Sequence, residues 1–233
     1  MATVDTSAED QFKHAAAESA AGLVSDGMIV GLGSGSTATL AVDQLGQRVK
    51  QGLRIVGIPT SERTATQARG LGIPLATLED QPDIDLTIDG ADEVEEGSLH
   101  LIKGHGGALL REKIVASATR RFVIIVHSSK LVRRLATHYA IPVEVVPFGW
   151  QSTARRLAEL GTTPSLRRNP DGTPYQSDGG NYIIHCAFES GVVAAPLAER
   201  LDHIVGVVEH GLFIGMTSEV HVAGPGGVQV LTA

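Results

Sequence analysis

The sequence predicts an α/β protein: an open, mainly parallel sheet flanked by helices, followed by a smaller α+β subdomain. Three observations predict it. Short apolar runs ending in glycine or aspartate alternate with helical patterns over residues 1–135, as in successive β-α-β units. Aromatic residues make up only 4% of the chain and glycine occurs 27 times, so the core is built from Ala, Val, Ile and Leu with many tight turns, which suits buried parallel strands. Past residue 136 the rhythm changes to strand, helix, two strands, helix, strand.

Residues 8–24 are Ala-rich, with Phe12, Ala16, Ala20 and Leu23 near helical spacing and Gly27 as a stop. Residues 28–32 form a short apolar run into glycines and read as a buried strand. A helix over 36–50 and a strand over 53–58 follow. Ser61 caps a helix that stops near Gly70 and Gly72. Residues 73–78 and 84–89 read as strands; in the second, Ile84, Leu86 and Ile88 alternate with polar residues and leave Asp89 at the carboxyl end. A helix covers 108–118, where Leu110 and Ile114, one turn apart, are expected to face the core and Glu112 to project from another face. Residues 122–127 form an apolar strand, and Ser128 caps a short helix through Leu135.

In the second part, strands over 143–146, 165–168, 182–189 and 205–208 and helices over 151–160 and 196–203 give the β-α-β-β-α-β order of a ferredoxin-like subdomain. Residues 211–230 are expected to supply strands returning to the main sheet. The domains are therefore 1–135 plus about 209–233, and about 136–208.

Composition narrows the function. A formal net charge of −7 argues against a nucleic-acid partner, which needs a basic face. It leaves room for a phosphate held locally by a helix N-terminus and one or two lysines. Hydrophobic residues at 42% against 19% charged supply a sizeable core rather than a disordered chain. The single cysteine, Cys186, excludes an internal disulfide framework and points to a reducing compartment; lying in an apolar strand, it reads as a small core residue. The first residues are acidic where a signal peptide is basic, and the longest apolar run, 122–126, is too short to span a bilayer. A cytoplasmic protein without a membrane partner is expected. The nine histidines show no H-E-x-x-H or similar spacing, so no metal site is expected.

Three segments carry candidate chemistry. GLGSGST, residues 31–37, lies at a strand-to-helix junction, where glycines turn the backbone sharply and N–H groups point at an anion. Ser34, Ser36 and Thr37 add hydroxyls around Gly35. Counting from Gly31, the third glycine of a dinucleotide fingerprint would fall on Ser36, and no lysine follows as in a P-loop. An ordinary capped turn is the plain alternative. DGADEV, residues 89–94, places Asp89 at a strand's carboxyl end, where open α/β sheets bind ligands; on spacing alone a solvated acidic loop fits at least as well. KGHGGALLREKI, residues 103–114, is a second glycine loop before a helix, in which Lys103 and Glu112 would ordinarily be solvated. Lys130, after a strand, fits a cap or a ligand contact equally.

Taken in order, IVGLGSGST (29–37), IPTSERT (58–64), DGADEV (89–94), KGHGGALLREKI (103–114), SSK (128–130), IPVEVVPF (141–148), SDGGNYI (177–183) and VGVVEHGLF (205–213) resemble the type A ribose-5-phosphate isomerases. The resemblance implies a Rossmann-like sheet with an α+β subdomain, a homodimer or homotetramer, and no cofactor. It implies interconversion of ribose 5-phosphate and ribulose 5-phosphate through a cis-enediolate, in the non-oxidative branch of the pentose phosphate pathway. Carried over by motif, Glu112 is the acid–base group, and Asp89, Asp92 and Lys103 surround the reacting end of the sugar. Ser34, Gly35, Ser36 and Thr37 form the substrate loop. Gly90 and Ala91, the Gly104-His105-Gly106 loop, Lys130 and Lys13 complete the substrate contacts. One departure stands out: the family reads K-G-G-G where this chain has Lys103-Gly104-His105-Gly106. If that position needs φ > 0, histidine costs more than glycine. An amino-sugar phosphate deaminase and a silent sugar-phosphate sensor are the rival readings, and the ordered acidic and lysine segments disfavour both.

Overall fold

The structure, a computed structural model, describes residues 6–232, with side chains from Ala8 onward. The described chain groups into two compact units: one takes in the chain up to Ala91, Arg111–Lys130 and the segment from Met216, and the other comprises Asp92–Leu110 and Leu131–Gly215.

The first unit holds α1 (Thr6–Ala21), β1 (Ile29–Leu32), α2 (Ser36–Lys50), β2 (Val56–Pro59), α3 (Glu62–Gly70) and β3 (Ile84–Gly90). In the second unit the chain forms β4 (Glu93–Glu95) and β5 (Leu101–Ile102), then crosses back through α4 (Leu109–Ser117) into β6 (Thr119–His127) and a 3₁₀ turn at Ser128–Lys130. The second unit resumes with β7 (Leu131–Val132), β8 (Ile141–Val145), α5 (Trp150–Ala158), β9 (Thr163–Leu166), β10 (Tyr182–Ala187), α6 (Ala194–Asp202), β11 (Val207–His210) and β12 (Leu212–Phe213). The chain returns to the first unit as β13 (Glu219–Gly224) and β14 (Gly227–Thr232).

The first unit is built on a six-stranded sheet of order β14-β13-β6-β3-β1-β2. Every pairing is parallel except that of β13 with β14. Residues 122–126 of β6 are all buried, as a strand inside a covered parallel sheet must be. Ala16, Ala17 and Ala20 let α1 lie close to the sheet, and Leu45 of α2 joins them against Val30, Leu86 and Val123. β1 pairs with β2 on one side and β3 on the other, so the strand order reverses there. Open α/β sheets bind ligands at the carboxyl ends of such strands.

The second unit contains a four-stranded sheet of order β11-β8-β10-β9, antiparallel throughout, the ferredoxin-like order expected from the sequence. Leu157 of α5 and Leu197 and Leu201 of α6 share its core with Val143, Val145 and Ile184. A second small sheet has the order β12-β5-β4-β7. Pairing of β4 and β5 with β7 and β12 is what groups 92–110 with this unit rather than with the stretch that precedes it.

Two expected elements differ. Residues 73–78 are not a strand: Leu75 makes a single bridge to Gly57, because Pro74 has no N–H with which to extend a ladder. Residues 128–135 are not a helix: one 3₁₀ turn ends at Lys130, and Leu131 and Val132 pair with Val94 and Glu95 instead.

Candidate active site

Within the parallel-sheet unit the glycine loop after β1 leans on the end of β3. Asp89, fully buried, accepts hydrogen bonds through Oδ1 from the backbone N–H of Ser34 at 3.0 Å and of Gly90 at 2.7 Å. The approach is so close that a Cβ on residue 33 would lie 2.3 Å from Asp89 Oδ1, so only glycine fits there. The loop 31–37 and Asp89, distant in sequence, therefore meet at the switch point of the sheet.

The Ser34 hydroxyl is held within the protein. It donates to Ser61 Oγ at 3.0 Å, Ser61 donates to Thr64 Oγ1 at 2.9 Å, and Thr64 donates to the Gly33 carbonyl at 3.0 Å. Thr60 lies 2.7 Å from Ser34 as well. IPTSERT is thus the scaffold of the serine loop; a run of hydroxyls at the end of β2 was the only local signal for it. Gly35, at φ 94°, precedes α2 without any side-chain cap. The first-turn N–H groups at Ser36 and Thr37 are consequently open to an anion.

Helix α4 reverses the expected facing. Glu112 is 4% exposed and lies on the stripe of Leu109, Val115 and Ala116, whereas Ile114 is 45% exposed. Arg111 reaches the other way, to Glu62 at 2.8 Å. A glutamate has displaced an isoleucine from the buried face. Burying a carboxylate in preference to an available aliphatic residue runs against the transfer free energies and makes Glu112 a candidate functional group.

Lys13 and Lys130 lie in the same unit. Lys13 pairs with Glu9 at 2.9 Å and Asp10 at 3.4 Å, which raises its pKa, chiefly through the Glu9 hydrogen bond. Glu9 in turn lies 3.3 Å from His127 Nε2 and is lowered mainly by Lys13, with Lys130 adding to the effect. Burial lowers the pKa of His127.

In the second unit, Lys103 is 3% exposed, its ammonium 5.6 Å above the Phe213 ring, and its backbone N–H donates to the Gly211 carbonyl at 2.9 Å. Asp92 accepts through Oδ2 from the backbone N–H of His105 at 3.1 Å. The left-handed positions of this loop are Gly104, at φ 106°, and Gly107, at φ 89°; His105 is not among the positive-φ residues. Histidine therefore replaces glycine without backbone strain, and its Nε2 lies 2.8 Å from the Ala140 carbonyl. Glu93, next to Asp92, turns away to hold main chain. It is buried and accepts from the N–H groups of Ala136, His138 and Tyr139.

Among the described residues, one grouping has the composition of a metal site: Asp202, Glu209 and His210. His210 Nδ1 accepts from the Leu212 N–H at 3.2 Å, so the proton sits on Nε2, which faces Asp202 Oδ1 at 3.1 Å. With both ring nitrogens engaged, this is an acid–imidazole pair that ties α6 to β11. Cys186 is buried, and burial pushes its thiol up to about 12.

The family described as Ribose 5-phosphate isomerase A (phosphoriboisomerase A) matches residues 56–227. A relative named Ribose-5-phosphate isomerase A, from Synechococcus sp. (strain JA-3-3Ab), is 56% identical over 223 residues, covering 95% of this chain and 97% of its own length. Among solved structures, ribose 5-phosphate isomerase A from Methanocaldococcus jannaschii matches with a TM-score of 0.92 at 41% identity, over 97% of this chain and all of that one. A D-ribose-5-phosphate isomerase in complex with phospho-erythronic acid matches with a TM-score of 0.93 at 35% identity, over 96% of this chain and 99% of that one.

Proposed function

The chain belongs to the ribose 5-phosphate isomerase A family, and from that premise we propose how its residues carry out aldose–ketose exchange. The reaction interconverts ribose 5-phosphate and ribulose 5-phosphate. Identity of 56% across 95% of the chain carries the function. The inward-turned Glu112 carries the chemistry.

Glu112 takes the proton from C2 of the open-chain aldose, leaving a cis-enediolate, and returns it to C1, while the hydroxyl proton moves from O2 to O1. Lys103, a buried ammonium, stabilises the oxyanion that develops on the sugar. Asp89 and Asp92 serve ring opening and the proton transfer between oxygens. The phosphate binds at the uncapped start of α2, at Ser36 and Thr37, with Lys130 and Lys13 supplying charge. Gly90, Ala91 and the Gly104–Gly106 loop complete the contacts. Remote binding of the phosphate positions C1 and C2, so a sugar lacking it loses turnover as well as affinity. Occurrence as a cytoplasmic homodimer or homotetramer belongs to the same reading. Among the described residues no helix is long and apolar enough to cross a membrane.

The test is conversion of ribose 5-phosphate by chelator-treated protein in D₂O, followed by NMR. Ribulose 5-phosphate carrying deuterium at C1 is expected. Glu112→Gln should fold as the wild type does and lose at least ~10²-fold in turnover. Near-wild-type turnover in that variant would remove Glu112 from its role, and an inactive wild type would remove the reading itself.

A further inference from the structure

We propose that Arg167 is a positioning residue for the glycine loop that follows Lys103. The inference rests on the isomerase reading and concerns only the second unit.

The loop contains two successive peptide planes that matter. In the first, the Gly104 carbonyl accepts the Gly107 N–H at 2.9 Å, and the His105 N–H goes to Asp92. In the second, the His105 carbonyl accepts a hydrogen bond from Arg167 Nη1 at 2.7 Å. The carbonyl and N–H of a trans peptide point in opposite directions, and the chain has no cis peptide bond among its described residues. By holding the His105 carbonyl, Arg167 therefore turns the Gly106 N–H away from itself. Gly106 is exposed, and its N–H meets no acceptor among the described residues. An N–H so oriented, three residues from Lys103, is available to a sugar oxygen.

Arg167 is itself fixed in place. Its guanidinium lies 3.9 Å from the centre of the Tyr175 ring, and the Tyr175 N–H donates to the Arg167 carbonyl at 3.0 Å. The Tyr175 hydroxyl in turn packs on Gly107, where a Cβ would meet it at 2.3 Å. No carboxylate pairs with Arg167 among the described residues. Its donor is spent on a main-chain carbonyl while its face is stacked, a combination a lysine cannot reproduce.

The histidine of the loop has a separate anchor. His105 holds the Ala140 carbonyl and packs against Tyr139 and His185 at centroid distances of 5.1 Å and 4.9 Å. Loss of Arg167 would release one peptide plane and leave the loop in place. The expected defect is in turnover, not in folding.

Steady-state kinetics of the full chain on ribose 5-phosphate test this. Arg167→Ala is expected to lower kcat by roughly 10- to 100-fold with a smaller change in KM, and to melt within about 3 °C of the wild type. Arg167→Lys should recover only a fraction of the loss, whereas guanidinium at millimolar concentration should restore much of it in Arg167→Ala. Turnover of Arg167→Ala within twofold of the wild type overturns the proposal. So does a loss that follows a large drop in melting temperature without guanidinium rescue. If Arg167→Ala does not fold, Tyr175→Ala, which removes the stacking face, carries the same kinetic expectation and the same refutation. Failure of the isomerase reading is distinguishable, because the wild type would then be inactive.

Discussion

His185 of β10 illustrates what a half-buried imidazole does when its surroundings favour the neutral form. Desolvation, then His105, then Arg167 push its pKa down to about 4, and the Asp92 carboxylate opposes them. Its Nε2 has no hydrogen-bond partner among the described residues. Above pH 6.5, the value of an unperturbed histidine, the ring is neutral in both folded and unfolded chains and its contribution to stability is complete. As the pH falls from there towards 4, the unfolded chain takes up the proton first and stability declines. His127, lowered by burial, acts in the same direction, so a single variant must separate the two. His185→Gln should therefore show a shallower fall in melting temperature between pH 6.5 and 4 than the wild type, with no difference in slope above 7. Equal slopes would refute the assignment. At this scale the sequence was silent about which way its candidate residues face. Spacing in α4 assigned Leu110 and Ile114 to the core; the structure buries Glu112 instead. A hydrophobicity pattern cannot foresee that, because it assumes that the apolar residue wins.

Among the elements, the turn after β7 depends on one carboxylate. Glu93 of β4 accepts from Ala136 N–H at 2.6 Å, His138 N–H at 2.6 Å and Tyr139 N–H at 3.0 Å, and Ala136 sits at φ 62°, an unfavourable angle for a residue with a Cβ. Removing the acceptor leaves three donors and a strained residue without support. Glu93→Ala is expected to cost on the order of 3–5 kcal/mol, read as a lower urea midpoint at unchanged m-value, with Glu93→Gln intermediate. An unchanged midpoint would show that the turn holds without it. Such a role was hidden in the sequence, where Asp89, Asp92 and Glu93 form one acidic cluster. Long elements, by contrast, were legible: α2 and β3 fall where the sequence pattern places them. The strands β4, β5, β7 and β12 span two or three residues, too few to display any period, and arise only from tertiary pairing.

For the molecule as a whole, the two architectures were readable from rhythm alone, since β-α alternation and the β-α-β-β-α-β order each leave a distinct trace. What rhythm could not supply was the partition of 92–110, which depends on pairing partners far along the chain. The placement of β13 has a consequence for synthesis. β6 pairs with β3, made earlier, and with β13, which leaves the ribosome only after the whole antiparallel unit. For that interval residues 123–127 present a bare apolar edge, the kind that captures a strand from another copy. A chain ending at Gly215 keeps the edge permanently and is expected in the insoluble fraction, where the full chain is not; soluble, monomeric truncated protein would contradict this. Nonsense mutations late in the reading frame, downstream of every acidic and lysine residue of the proposed site, would then behave as null alleles.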